Sequence, residues 1–425
     1  MWRLDATGPV EFRVSQAWRF SAAQPIERQD TLAALRLLKR TLSLYVHTGF
    51  TMHATRKFTD IPSTAEPCER NGIRTRAMAP PPALPALTDL FHQLDARLPG
   101  GDYRIPSLVT TLNGTLLAFV AGRMHRTDIT PNILYLRRSE DDGATWTPAQ
   151  AVLQDPHNRT EYGGAPVVDP ATGKVHLIFT ANVFGAAGCT GCPLHVTSSG
   201  DGGRTWSPPR SLSVRGPENR TWGGALASGI ALTRGKHAGR LVVALRHDCG
   251  CHDLRASFAI FSDDQGKTWT GGNEMLLLPQ YGGGWTECQV AELHNGSVLM
   301  TSRNFYSRTS GQGPRLFARS DDGGATWAAN WSAGAELTDP YCEASLLGAP
   351  AQGRLYFGNP SSHRRENFSV HVSLDGGRSW PRGAVIYPRG AAYSDLSWTR
   401  NGSLAFLFER DGYNTVAFGT KPVAN

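Results

Sequence analysis

One eight-residue pattern recurs five times in this chain, and that recurrence restricts the fold more than any other feature. It occurs first as Ser139-Glu140-Asp141-Asp142-Gly143-Ala144-Thr145-Trp146. It returns with Ser199, Asp201, Gly203, Thr205 and Trp206, then with Ser262, Asp264, Gly266, Thr268 and Trp269. The last two copies carry Ser320, Asp322, Gly324, Thr326 and Trp327, and Ser373, Asp375, Gly377, Ser379 and Trp380. The shared form S-x-D-x-G-x-[ST]-W describes a tight hairpin turn. Its aspartate accepts hydrogen bonds from backbone N–H groups just downstream, and its glycine adopts the positive φ that closes the loop. The tryptophan then offers a broad apolar plate to neighbouring structure. Five such boxes, 53 to 63 residues apart, specify a repeat architecture.

A second repeat runs in step with the first. Turns at Asn113-Gly114, Thr172-Gly173, Ala238-Gly239, Asn295-Gly296, Gln352-Gly353 and Asn401-Gly402 each precede an apolar strand. The strands expected there are 115–121, 174–180, 240–245, 297–301, 354–357 and 403–408. Six hairpins, five of them followed by a box, leave room for four antiparallel strands per unit. The expectation is an all-β fold, a six-bladed β-propeller of four-stranded antiparallel sheets. The sixth unit has no box and runs out after Gly419, and a propeller that fails to close leaves raw strand edges. A strand from residues 88–98 is therefore expected to complete the last blade.

Residues 1–84 differ in character from the propeller expected over 85–425. Leu32, Leu35, Leu38, Leu42 and Tyr45 fall at helical spacing beside Arg36, Lys39 and Arg40, which suits a poorly ordered extension, a surface helix, a membrane-leaning segment or part of a targeting sequence. The sequence Met78-Ala79-Pro80-Pro81-Pro82 is expected to mark a natural start or the domain boundary. No charged n-region, apolar core and small-residue cleavage site stand together, so secretory, lysosomal and cytoplasmic locations all stay open. No apolar run reaches the roughly 20 residues that cross a bilayer.

The net charge of +7 does not point to nucleic acid. Residues 1–77 hold twelve Lys and Arg against seven Asp and Glu, leaving 31 against 29 in the remainder. No basic stripe with interleaved aromatics is present. The seven cysteines, Cys68, Cys189, Cys192, Cys249, Cys251, Cys288 and Cys342, fit neither a complete disulfide framework nor a strictly reduced chain. Seven N-x-[ST] sequons begin at Asn113, Asn158, Asn219, Asn295, Asn330, Asn367 and Asn401. Several read N-G-[ST], which serves equally as a hairpin turn.

The layout locates side chains. If each box joins third and fourth strands, first-strand starts and the loops after second strands lie together on the opposite face. First-strand starts carry Arg104, Glu287 and Tyr393. Second-strand ends and the following loops carry Arg123, Asp128, Arg246, Arg303, Arg364, Arg365 and Glu409. A single central mouth is the expected site.

From residue 88 to about 420 the chain resembles an exo-α-sialidase (neuraminidase) of the Asp-box family. The marks are Tyr103-Arg104-Ile105-Pro106, the five boxes, Asp128 five residues beyond Arg123, Thr286-Glu287-Cys288-Gln289, Arg303, Arg365 with Asn367 and Phe368, and Tyr393-Ser394-Asp395-Leu396. The resemblance implies that Arg104, Arg303 and Arg365 clamp the sialic acid carboxylate, a task suited to permanently charged planar donor forks. Arg365 fits the family pattern better than Arg364. Glu409 is implied to buttress Arg104, with Arg123 and Arg246 lining the site.

Tyr393 and Glu287 resemble the nucleophile pair. Sialic acid bears a carboxylate on its anomeric carbon, so an approaching Asp or Glu anion would meet like charge. A neutral tyrosine deprotonated by Glu287 avoids this, the tyrosine exception among glycosidases. Asp128 is implied to be the acid/base, which calls for a pKa above that of a free carboxyl.

The function implied is retaining hydrolysis of terminal α-linked sialic acids on glycoproteins, glycolipids or oligosaccharides, with no cofactor or metal. The rival readings are an inactive sialic-acid-binding propeller, and an enzyme that acts on a related nonulosonic acid or transfers sialic acid. The pairs Cys189/Cys192 and Cys249/Cys251, with His252, depart from the family pattern. They lie seven to thirteen residues ahead of the second and third boxes, and disulfides, free thiols and zinc remain open there.

Overall fold

The structure, a computed structural model, describes residues 84–92, 102–128, 130–183, 193–215, 227–247, 256–275, 285–304, 315–332, 336–381 and 383–423. All belong to the second of two units, 80–425. The readings made above for residues 1–83, for 93–98 and for Cys68, Cys189, Cys192, Cys249, Cys251 and His252 lie outside the described residues.

The fold is all-β, with strands in chain order. Strand β1 (Leu87–His92) precedes a sheet of β2 (Asp102–Thr110), β3 (Leu116–Arg123), β4 (Asn132–Ser139) and β5 (Gln150–Leu153). A second sheet holds β6 (Thr160–Val168), β7 (Val175–Val183), β8 (Leu194–Ser199) and β9 (Arg210–Ser211). The third comprises β10 (Val214–Arg215), β11 (Ile230–Ala231), β12 (Leu241–His247), β13 (Ala256–Ser262) and β14 (Trp269–Gly271). The fourth is β15 (Trp285–Glu292), β16 (Val298–Asn304), β17 (Leu316–Ser320) and β18 (Ala329–Ser332). Then β19 (Ser345–Ala349), β20 (Arg354–Pro360), β21 (Glu366–Ser373), β22 (Ala384–Trp398), β23 (Leu404–Arg410) and β24 (Thr415–Lys421) join β1 in a seven-stranded sheet. One 3₁₀ turn at Gly235–His237 is the only helical element among the described residues.

Two features correct the expectation of uniform four-stranded antiparallel sheets. Strand β10 adds to the third sheet in parallel with β14, because the chain leaving β9 crosses to that sheet's outer edge. The seven-stranded sheet arises from the 15-residue β22, which pairs with β21 through its first half and with β23 through its second. The expected closing strand is β1, paired antiparallel with β24 from Leu87 opposite Gly419 to His92 opposite Thr415.

Every box joins the third strand of a unit to its fourth, and every short turn joins first to second. The boxes share one hydrogen-bond pattern at their Ser, Asp, Gly and Thr or Ser positions, whereas the indole N–H bonds the glycine carbonyl at Trp146, Trp269 and Trp380 but not at Trp206 or Trp327. In the first, Thr145 donates its backbone N–H to Asp141 Oδ1 at 2.8 Å and its hydroxyl to Oδ2 at 2.6 Å. Gly143 donates its N–H to Ser139 Oγ at 2.8 Å, and the Trp146 indole N–H reaches the Gly143 carbonyl at 3.1 Å. Asp201, Asp264, Asp322 and Asp375 are held alike by Thr205, Thr268, Thr326 and Ser379.

Each box also abuts the preceding sheet, and this demands glycine for a second reason besides φ. A Cβ on Gly203 would crowd Leu117, one on Gly324 would crowd Val242, and one on Gly377 would crowd Leu299. On Gly143 it would strike Phe418 of β24, so the first box packs on the last sheet. The tryptophans follow suit: Trp146 meets Phe418 edge-on at 4.9 Å, and Trp380 stacks on Phe317 at 5.7 Å. The apolar clusters span neighbouring sheets in succession, and one of them unites Phe91, Leu108, Leu116, Leu407 and Phe418. The result is a propeller-like arrangement of sheets.

Candidate active site

First strands bring the site together through a shared distortion. Strand β2 shifts register between Arg104 and Ser107, β15 between Trp285 and Cys288, and β22 between Ala391 and Ser394. Arg104, Glu287 and Tyr393 each sit at or within one of these shifts, where a bulge re-aims a side chain out of the alternating pattern. In β2 the bulge uses Ile105 at φ 60° and Pro106, which has no N–H to waste.

A buried cross-tie fixes these strands against one another. Asp395, two residues past Tyr393, accepts the Leu108 N–H at 2.8 Å, the Gln289 side-chain N–H at 2.7 Å and the Ser228 N–H at 3.3 Å. Gln289 in turn accepts the Leu346 N–H at 2.5 Å. One aspartate and one glutamine thereby link β2, β15, β19 and β22. Burial pushes the Asp395 carboxyl up to about 6 in spite of these donors.

Around this axis, Tyr393 is the hub. Its hydroxyl donates to Glu287 Oε1 and accepts from Arg303 Nη1 at 3.0 Å. Arg104 lies over its ring at 5.2 Å and Arg365 at 5.4 Å. All three expected clamp arginines are therefore within reach of one tyrosine. Of the two neighbouring arginines it is Arg365 that reaches this ring, while Arg364 is exposed. Glu409, fully buried, accepts Arg104 Nε at 2.7 Å and the Ile105 N–H at 2.9 Å through Oε1, and the Tyr393 N–H at 3.2 Å through Oε2. Removing Glu409 would loosen the arginine and the tyrosine together.

The protonation states follow from charge. Burial alone would raise Glu287, but Arg303 Nη1 at 2.5 Å and Arg246 Nη1 at 3.1 Å outweigh it and bring Glu287 down to about 2. Burial and the Glu287 charge drive Tyr393 well above the ordinary phenol range, against the pull of Arg303 and Arg365. The pair at rest is a neutral phenol donating to a carboxylate.

Asp128 stands at the opening, its side chain 89% exposed, with Oδ1 at 3.2 Å from Arg123 Nη1 and 3.7 Å from Arg104 Nη1. The sequence reading required a raised pKa here, and the structure reverses it. Partial burial raises the carboxyl, yet Arg123 and Arg104 prevail and hold it below the usual aspartate range. A cavity of about 290 Å³ opens between Asp102, Arg104, Arg126, Asp128, Arg365, Gly412 and Tyr413.

Three participants escaped the sequence reading. Tyr413 takes Arg104 over its ring at 4.0 Å and accepts Arg365 Nη1 at 2.9 Å. Tyr341 receives Arg303 on its ring at 3.5 Å and Arg365 Nη2 on its carbonyl oxygen at 3.3 Å. Glu343, fully buried, accepts the Ser394 N–H at 3.0 Å, and burial lifts its pKa well above normal. Neither tyrosine lies in a repeat. Glu343 follows Cys342 in a loop with no periodicity to mark it.

The boxes and the sheets they join define a class first: residues 114–406 match the BNR repeat-like domain. A sialidase of Micromonospora viridifaciens is 31% identical over 359 residues, which cover 78% of this chain and 54% of the relative. Human Sialidase-4 is 31% identical over 348 residues, covering 73% of this chain and 67% of the relative. Among solved structures, a Hadza microbial sialidase superposes with a TM-score of 0.66 at 26% identity, covering 76% of this chain and 66% of its own. The chain belongs to the sialidase family with Asp-box repeats. It spans only about half the length of the Micromonospora relative.

Proposed function

We propose that this chain is an exo-α-sialidase that removes terminal α-linked sialic acids from glycoconjugates with retention of configuration, on a six-bladed propeller spanning residues 85–425. In this reading β22 serves two blades, and β1 completes the sixth. The observation that carries the function is the Tyr393 hydroxyl set between Glu287 and Arg303 with Arg104 and Arg365 flanking its ring. A plain structural tyrosine needs no such collection of cations. A sugar bearing a carboxylate at its reacting carbon does.

Arg104, Arg303 and Arg365 grip the substrate carboxylate, and Glu409 steadies the first of them. The Tyr393 proton passes to Glu287 Oε1 as the phenolic oxygen attacks the anomeric carbon. Asp128, protonated, gives its proton to the glycosidic oxygen as that bond breaks and the aglycone leaves. Water then enters, loses a proton to Asp128 and attacks the same carbon. The bond to Tyr393 breaks, and Glu287 returns the proton to the phenolate. Arg123 and Arg246 line the site and hold Asp128 and Glu287.

The bound substrate resolves the low pKa of Asp128. A sugar carboxylate beside Arg104 offsets part of the positive charge that Asp128 feels, which raises its pKa toward the acid role. The substrate thus helps to arm its own proton donor.

The test is release of the fluorophore from an aryl α-sialoside. Wild type is expected to turn over, while Tyr393→Phe and Asp128→Ala lose at least about a hundredfold in kcat. A wild-type protein that binds sialic acid and releases no aglycone would instead be a binding propeller.

A further inference from the structure

The loop before β19 enters the site between the second and third arginines and is fastened from beneath. Asp339 Oδ1 accepts the Cys342 N–H at 3.1 Å, and Asn359 Nδ2 donates to the Thr338 carbonyl at 2.9 Å. Arg315, with no side-chain exposure, donates to the Cys342 carbonyl at 2.7 Å and pairs with Asp339 at 3.5 Å. Cys342 packs against Ala392 and Tyr393, and Glu343 holds the Ser394 N–H. Between these anchors Tyr341 is only half-buried, yet its backbone sits at φ 58°. A bulky non-glycine residue persists in that left-handed region only where its surroundings impose it.

Two contacts follow from that single conformation. The Tyr341 ring comes to lie flat against the Arg303 guanidinium at 3.5 Å, and its carbonyl turns toward Arg365 Nη2 at 3.3 Å. Among the described residues Arg303 is otherwise held through Nη1, by Glu287 and Tyr393, and its buried Nε has no hydrogen-bond partner there. Bonds gathered at one terminal nitrogen anchor one corner of the guanidinium and leave its face to be supported by packing. The Tyr341 ring supplies that support from one side.

We infer that Tyr341 is a positioning residue for the arginine clamp, its ring setting the plane of Arg303 and its carbonyl the reach of Arg365. This rests on the clamp reading above. A carboxylate gripped by several planar forks is sensitive to their mutual spacing, because small misplacements forfeit the advantage of prior orientation. The loss should fall on binding. The proton-transfer pair Tyr393 and Glu287 keeps its own contacts when the ring is removed.

The experiment compares Tyr341→Phe, Tyr341→Gly and Tyr341→Asn in the full chain. It reads KM and kcat on the aryl sialoside, calorimetric Kd for a 2,3-unsaturated sialic acid that is not hydrolysed, and thermal midpoint. Glycine and asparagine both tolerate the left-handed backbone, so they remove the ring without adding strain. Phe should match wild type within about twofold, whereas Gly and Asn raise KM and Kd about tenfold with kcat changed by less than about threefold. Midpoints should stay within a few degrees of wild type. Gly and Asn variants with wild-type KM and Kd would overturn the inference, as would a Phe variant as impaired as Gly. A wild-type chain that binds no carboxylate sugar would remove the clamp reading itself.

Discussion

At the scale of single residues, charge decides which group gives a proton and which takes one. Glu287 stays ionised because two guanidinium groups overcome a large burial penalty, and Tyr393 stays neutral because burial and Glu287 overcome two guanidinium groups. Asp128 obeys the same balance as Glu287, since Arg123 and Arg104 keep it ionised in the free site. The proposed mechanism requires the acid form, and removing a cation extends that form to higher pH. Arg123→Ala should therefore move the alkaline limb of the kcat/KM profile upward in pH, because that limb reports the essential acid of the free protein. A limb that stays in place would separate Asp128 from the acid role. That Arg104, Arg303, Glu287 and Tyr393 gather in one place was legible from their equivalent positions in the repeat, and in the proposed reading a sialoside carboxylate calls for these residue types: cations to hold it, and a nucleophile that is not an anion. The pKa of Asp128 was not, since it depends on distances to Arg123 and Arg104 that spacing along the chain does not encode. Tyr341 and Tyr413 were invisible for a related reason, as loop residues whose value lies in a backbone angle and a stacking contact.

At the scale of elements, local chemistry explains why the repeats could be read and the bulges could not. The box reports itself because serine, aspartate, glycine and threonine meet one another's hydrogen-bonding demands within eight residues. The short turns likewise fall where β3, β7, β12, β16, β20 and β23 begin. The expected ends of those strands fell short on the site side, at Ala121 against Arg123 and Phe408 against Arg410. Polar residues there broke the apolar run, although the ladder continues and presents them. The register shifts at Arg104, Glu287 and Tyr393 have no period at all. They are imposed by tertiary partners such as Glu409 and Asp395. Box tryptophans are one hold of these elements on adjacent sheets. Trp380, buried and stacked on Phe317, should cost about 3–5 kcal/mol when changed to alanine. The half-buried Trp146 should cost clearly less, and equal losses in guanidinium unfolding would show that burial does not rank these contacts.

Taken whole, the molecule spends its repeats on placing distant residues over one spot. Arg104 and Glu409, 305 positions apart, share a hydrogen bond, and Glu287 meets Tyr393 across 106. Such contacts need closure, supplied where Phe91 of β1 and Phe418 of β24 enter one apolar cluster with β2 and β3. The sequence announced this closure by what the sixth unit lacked. It did not announce the fusion of β21 and β23 onto one long β22, because Pro388 and Gly390 read as a break within Ala384–Trp398, whereas the strand runs through both and changes partner there. The central claim is that these blades hold Tyr393 to attack the anomeric carbon from the side opposite the departing aglycone, so that two displacements occur at that carbon. Proton NMR of the sialic acid released in the first minutes of hydrolysis tests it most directly. The α-anomer is expected to form first and to relax to the β-anomer by mutarotation. A β-anomer as the first product would mean direct attack by water, and Tyr393 would not be the nucleophile.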